Sequence, residues 1–116
     1  MISVDDVHAA AQSIAGRVRR TPVIAADNLK TPLADGVEVI LKLELLQVTG
    51  SFKARGATNK LMATDPEVLR NGIVAASGGN HGLATARAGF ASGVPVTIYL
   101  PDNATPAKIA KLNQWG

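Results

Sequence analysis

The chain has 116 residues, room for one domain, of which 47% are hydrophobic and 18% charged; that balance supports a packed core and argues against disorder. It contains no cysteine, and its two histidines, His8 and His81, are far apart, which excludes a disulfide framework, a cysteine nucleophile and a cysteine-ligated zinc site, and leaves no HExxH metal spacing. Twelve Lys and Arg against nine Asp and Glu give a formal charge of +3, with 3% aromatics, too little charge and too little stacking surface for a nucleic-acid partner.

No apolar run approaches the roughly 18 residues that span a bilayer. Met1 to Asp6 has early acids and no basic stretch ahead of an apolar core, so a signal peptide is not expected and a soluble, cytoplasmic protein is. Ser3 reads as a helix N-cap with Asp6 completing a shortened capping box. Val4, Val7, Ala11, Ile14 and Val18 recur at helical spacing, which predicts a helix over about residues 4–16. Arg17, Arg19 and Arg20 form the one tight basic cluster, expected to be a solvated helix end facing the negative pole of the dipole. Thr21-Pro22 and Thr31-Pro32 favour extended or turn geometry, so this stretch is expected to be loop.

Residues 37–46 alternate, with Val37, Val39, Leu41, Leu43 and Leu45 on one side and Glu38, Lys42 and Glu44 on the other, the pattern of a strand with a wet face. Glu38 and Glu44 are expected to face solvent. Thr49-Gly50-Ser51 breaks the strand, and residues 52–63 read as helix with Ser51 placed to cap it. Asp65-Pro66-Glu67 starts a short helix that Asn71-Gly72 ends. Then come an apolar strand (73–76), a Gly-rich loop (77–82), an Ala-rich helix (83–92) closed by Gly93, a second strand (94–100) and a helix opened by Thr105-Pro106. That rhythm is the βαβ pattern of a parallel sheet, in the α/β class, to which residues 37–46 would add a further strand. Two or three parallel strands cannot cover their own faces, so the chain is expected to be the front part of a larger protein, with apolar surface left open.

Two places could carry chemistry. Lys53 sits at the predicted start of a helix, where the partial positive charge of the N-terminus disfavours an ammonium group; Arg55 is expected to act in the same direction. A free amine is what Schiff-base chemistry needs. The same lysine also reads as an exposed side chain with its stem on Phe52. The second place is Ser77-Gly78-Gly79-Asn80-His81-Gly82, between strand and helix, where glycines allow close backbone approach and the helix N-terminus favours a phosphate or carboxylate. It matches neither GxGxxG nor a P-loop, and a plain tight turn stays open beside the ligand reading. His81 is expected to hold the loop or contact an anion, and His8 to be solvated.

Leu41-Lys42-Leu43-Glu44 followed by Gln47-Val48-Thr49-Gly50-Ser51-Phe52-Lys53-Ala54-Arg55-Gly56-Ala57 closely resembles the cofactor-lysine segment of the threonine/serine dehydratase and serine racemase family, fold-type II enzymes that use pyridoxal 5′-phosphate (PLP). Ser77 to Gly82 resembles that family's Ser-x-Gly-Asn-His-(Gly/Ala) loop, and Arg20-Thr21-Pro22 extends the likeness upstream. The resemblance implies part of a tryptophan synthase β-like fold, with residues 1–70 the N-terminal part of the large PLP domain and residues 71–116 the start of the small βαβ domain. It implies that Lys53 holds PLP and removes the substrate α-proton, that Phe52 packs beside the cofactor, and that Asn80 bonds its 3′ oxygen. Ser77, Asn80 and His81, with the backbone of Gly78 and Gly79, would hold the substrate carboxylate. Loss of the β-hydroxyl of L-threonine or L-serine would release an enamine that hydrolyses to a 2-oxo acid and ammonia, in an enzyme that is a homodimer at full length and needs no metal from these residues.

Two departures qualify the likeness. Members that racemise serine carry a Ser where this chain has Gly78, so elimination is favoured over racemisation. The family's Gly-rich phosphate cradle lies downstream of the residues present, so the isolated chain is expected to be inactive. Other readings are a threonine synthase or β-replacing synthase, a non-catalytic anion-binding βαβ module, and a fragment without activity of its own.

Overall fold

The computed structural model describes every residue except Asn28 and Pro32, so the expectation at Thr31-Pro32 lies outside the described residues. In chain order the elements are α1 (Val4–Ser13), β1 (Val23–Ala25), β2 (Ile40–Lys42), a 3₁₀ turn (Glu44–Leu46), α2 (Lys53–Met62), α3 (Pro66–Leu69), β3 (Ile73–Ala76), α4 (Asn80–Ser92), β4 (Val96–Tyr99) and α5 (Pro106–Asn113).

The capping box of α1 forms as expected: the Asp6 N–H donates to Ser3 Oγ (3.1 Å), and the Ser3 N–H donates to the Asp6 carboxylate (2.8 Å). The helix ends at Ser13 rather than residue 16, because the chain tightens into turns (Ala15 N–H to Gln12 O, Arg17 N–H to Ile14 O) and Gly16 takes a positive φ of 73°. Of its expected apolar face only Ile14 is buried.

Residues 21–36 are not all loop: β1 pairs antiparallel with β2, with Ile24 opposite Leu41. The strand expected over residues 37–46 shrinks to β2. The ladder runs one bond further, from the Leu43 N–H to Pro22 O, and Leu46 N–H then bonds Leu43 O and closes the 3₁₀ turn. This hairpin is a separate sheet, so residues 37–46 add nothing to the parallel one.

The parallel sheet consists of β3 and β4, in register from Ile73 opposite Val96 to Ala76 opposite Tyr99. Between them runs α4, the expected βαβ unit. Ile73, Ala75, Val96 and Ile98 are half-buried on one face, while Val74 and Tyr99 on the other are 69% and 64% exposed. α4 packs on β4 and on α2; Ala84, Ala86 and Ala88 of α4 and Ala54, Thr58 and Leu61 of α2 are buried. A Cβ at Gly89 would run into the Val96 side chain, and glycine there is what lets helix and sheet approach. This α2–α4 contact joins residues 1–70 to residues 71–116.

The radius of gyration is 16.9 Å, against about 13 Å for a compact domain of this length. The core is made mostly of alanines, and no large side chain among the described residues is fully buried. The apolar surface expected to stay open is open: Phe52, Val74, Phe90 and Tyr99 are all more than half exposed.

Candidate functional site

Gly50, with φ of 75°, turns the chain out of the 3₁₀ segment, and its N–H bonds Gln47 O at 2.8 Å. α2 then starts at Lys53, one residue after the expected Phe52, which keeps Lys53 in the first turn. Ser51 does not cap it. Phe52 is the N-cap residue and offers no side-chain bond, while the buried Ser51 Oγ has no partner among the described residues. Lys53 lies along its neighbour, with Nζ 5.0 Å from the centre of the exposed Phe52 ring, within cation–π range.

The back of the first turn of α2 is pinned by a polar network that sequence reasoning missed. Arg55 forks onto Glu44, Nε to Oε2 at 2.9 Å and a terminal nitrogen to Oε1 at 2.7 Å. The same terminal nitrogen reaches Thr21 Oγ1 and Arg19 O, both at 3.2 Å, and the Thr21 hydroxyl donates to Glu44 Oε1 at 2.5 Å. Gln47 clamps Arg19, accepting its N–H (2.8 Å) and donating to its carbonyl (2.9 Å). Glu44 therefore does not face solvent as expected, while Arg19 stays exposed as expected but lies beyond the end of α1, its backbone held by Gln47 and its guanidinium donating to Leu46 O at 2.9 Å. Nor is Arg55 a free charge beside Lys53, since Glu44 neutralises it. The Arg55 hydrogen bonds, opposed by partial burial and helped by Thr21, hold the Glu44 carboxyl at a pKa of about 2. No sequence signal marks this pairing, which joins separate segments brought together only by the fold.

The second part of the site is the end of β3. α4 begins at Asn80 rather than Leu83, so Asn80, His81 and Gly82 form its first turn and the loop is only Ser77 to Gly79. Ser77 Oγ accepts the Gly79 N–H at 3.3 Å. A Cβ at Gly82 would collide with the Ser77 carbonyl, so of the loop's glycines this one is sterically required. Gly79, the N-cap, makes no side-chain cap, and the N–H groups of Asn80, His81 and Gly82 find no acceptor among the described residues. Unsatisfied first-turn N–H groups suit an anion.

Two clefts meet these residues. One, of about 650 Å³, is lined by Phe52, Lys53, Gly56, His81 and Thr85 with the edge of β3. The other, of about 340 Å³, is lined by Gly78, Gly79 and Asn80 with Thr49, Lys108 and Lys111. Lys53, Phe52 and His81 thus share a cleft, Gly78, Gly79 and Asn80 share its neighbour, and Ser77 lines neither. Lys108 and Lys111, at i and i+3 on α5, were not foreseen; only the parallel crossover brings α5 to this end of the sheet.

The larger cleft falls in the range of small-molecule sites, about 300–1,000 Å³, and holds a primary amine beside an aromatic ring. Together with the uncapped start of α4, these residues fit a carbonyl-bearing, anionic cofactor. Among the described residues no His, Asp and Glu cluster could hold a metal ion, and no helix is long and apolar enough to cross a membrane.

Residues 14–116 match the family model described as pyridoxal-phosphate dependent enzyme. The chain belongs to that family. Across all 116 residues it is 42% identical to a protein named catabolic L-threonine dehydratase from Staphylococcus aureus, covering 33% of it. It is 40% identical to an L-threonine ammonia-lyase from Thermotoga maritima, covering 28% of that protein. A crystal structure of serine racemase from Dictyostelium discoideum superposes with a TM-score of 0.89 at 33% identity, covering 99% of this chain and 37% of that one. The chain thus spans about a third of the length of the curated relatives it matches, and its α/β fold is that of fold-type II PLP enzymes.

Proposed function

We propose that this chain supplies the cofactor lysine and the substrate loop of a lyase that removes water and ammonia from L-threonine or L-serine. The observation that carries the reading is Lys53 at the start of α2, sharing a cleft with His81 beside the uncapped first turn of α4. The names of the relatives support the substrate class.

Bound PLP would supply an electron sink for charge developing at the substrate α-carbon. The chain's own residues would do the rest. Lys53 Nζ would hold the cofactor and take the proton from the α-carbon; Phe52 would cover the ring side of that amine. The Asn80 amide would orient the cofactor through its 3′ oxygen. The free N–H groups at the start of α4, with Ser77, His81 and the backbone of Gly78 and Gly79, would hold the substrate carboxylate, which fixes the α-proton toward Lys53. Gly78 has no side chain to act as a second base on the opposite face, which favours elimination over racemisation.

The same reading makes residues 1–70 part of a larger cofactor domain and residues 71–116 the start of a smaller one, in a cytoplasmic homodimer at full length. It also requires the rest of the cofactor site to come from further polypeptide, so the 116-residue chain alone should release little keto acid. The test is release of 2-oxobutanoate from L-threonine, assayed in the chain alone and in the longer protein that carries it. Activity with L-threonine and negligible D-serine from L-serine supports the reading. Turnover at a normal rate by the isolated chain, or D-serine as the main product, refutes it.

A further inference from the structure

A third hollow, of about 200 Å³, lies away from the Lys53 cleft and shares no residue with it. It sits between the turn after α1 and the helices α2 and α4, and is lined by Gly16, Arg17, Thr58, Arg87 and Ser92. One terminal nitrogen of Arg87 is buried with no hydrogen-bond partner, and no ion pair involves Arg87 among the described residues. Thr58 is only 4% exposed, and its hydroxyl is also buried without a partner. No Asp or Glu lines the hollow.

That combination is costly as it stands. A buried charge needs a partner of opposite sign, and a buried hydroxyl needs a hydrogen bond. Lysine could shed its proton in such a place; a guanidinium cannot, although burial pushes the Arg87 pKa down. No hydrogen bond reaches the buried terminal nitrogen of Arg87 among the described residues. What satisfies both orphaned groups at once is an acceptor with several oxygens.

We propose that this hollow is a binding site for a small oxyanion of phosphate size, with the half-buried Arg87 offering its buried terminal nitrogen, Thr58 as the hydroxyl donor and the exposed Arg17 as the second cation. A fork of guanidinium donors matches tetrahedral or carboxylate oxygens. Gly16, with a positive φ, turns the chain after α1 and Arg17 follows it at the hollow.

The probe is inorganic phosphate, titrated against the whole chain at constant ionic strength with chloride as the control, and read by the thermal midpoint and by phosphorus NMR line width. Phosphate should raise the midpoint where chloride does not. Arg87→Met should abolish that response. Should Arg87→Met fail to fold, Thr58→Val and Arg17→Gln serve instead, each weakening phosphate binding about tenfold. Lys53→Ala should keep the full response. The proposal is overturned if phosphate acts no differently from chloride, if the response survives Arg87→Met or both milder variants, or if Lys53→Ala removes it, which would put the anion in the cofactor cleft.

Discussion

Replacing Glu44 by Gln tests the network behind Lys53. The side chain keeps its size and an oxygen acceptor but loses the charge that Arg55 forks onto at 2.7 and 2.9 Å. In the folded chain the Glu44 carboxyl lies at about 2 rather than its ordinary 4.5, mainly through the Arg55 hydrogen bonds. A difference of that size corresponds to about 3 kcal/mol at about 1.4 kcal/mol per unit. Glu44 and Arg55 are 18% and 29% exposed, so solvent screening trims the figure to about 2–3 kcal/mol. Because the folded pKa lies below the unfolded one, the contribution is complete above 4.5 and fades as pH falls toward 2. Urea unfolding followed by circular dichroism should therefore show Glu44→Gln less stable by about 2–3 kcal/mol near neutral pH. The gap should close as the pH approaches 2. A gap below about 1 kcal/mol, or one that does not change with pH, would refute the argument that the ion pair is what holds the 3₁₀ turn and the Thr21 segment to α2.

Two further substitutions probe the sheet end. Gly89→Ala places a methyl group against Val96 and the Val94 carbonyl; it should destabilise the chain by about 2 kcal/mol or more, and an unchanged urea midpoint would mean that α4 does not press on β4 as described. A Cβ at Gly78 meets only ordinary contacts with Leu100 and Pro101 at 3.5 and 3.7 Å, so the backbone accepts Gly78→Ser and stability should change by no more than about 0.5 kcal/mol. In the longer protein the same change should raise D-serine formation from L-serine; a racemase activity left flat would show that the missing side chain at position 78 is not what favours elimination.

The elements with strong local signals were legible in the sequence. Ser3 and Asp6 announced the capping box, Asp65-Pro66 the short helix, and β3 falls on the expected residues. Local signals failed where tertiary bonds decide. The alternation over residues 37–46 resembles a strand, yet the Leu46 N–H to Leu43 O and Gln47 N–H to Glu44 O bonds turn its end into a 3₁₀ segment whose Glu44 turns inward to Arg55. β1 is three residues long and exposed, and exists because β2 pairs with it, so nothing in its own sequence marks it. At the site, Lys53 and the Gly-rich turn stood out through residue type and position. Lys108, Lys111, Arg87 and Thr58 did not, because their meaning depends on which helices the parallel crossover sets side by side.

The most direct test adds PLP to the longer protein that carries this chain, reduces it with borohydride and maps the labelled peptides. Label should concentrate on Lys53, over Lys30, Lys42 and Lys60, and be lost in Lys53→Ala. Label spread evenly over the lysines, and unchanged in that variant, would contradict the claim that Lys53 is the cofactor lysine.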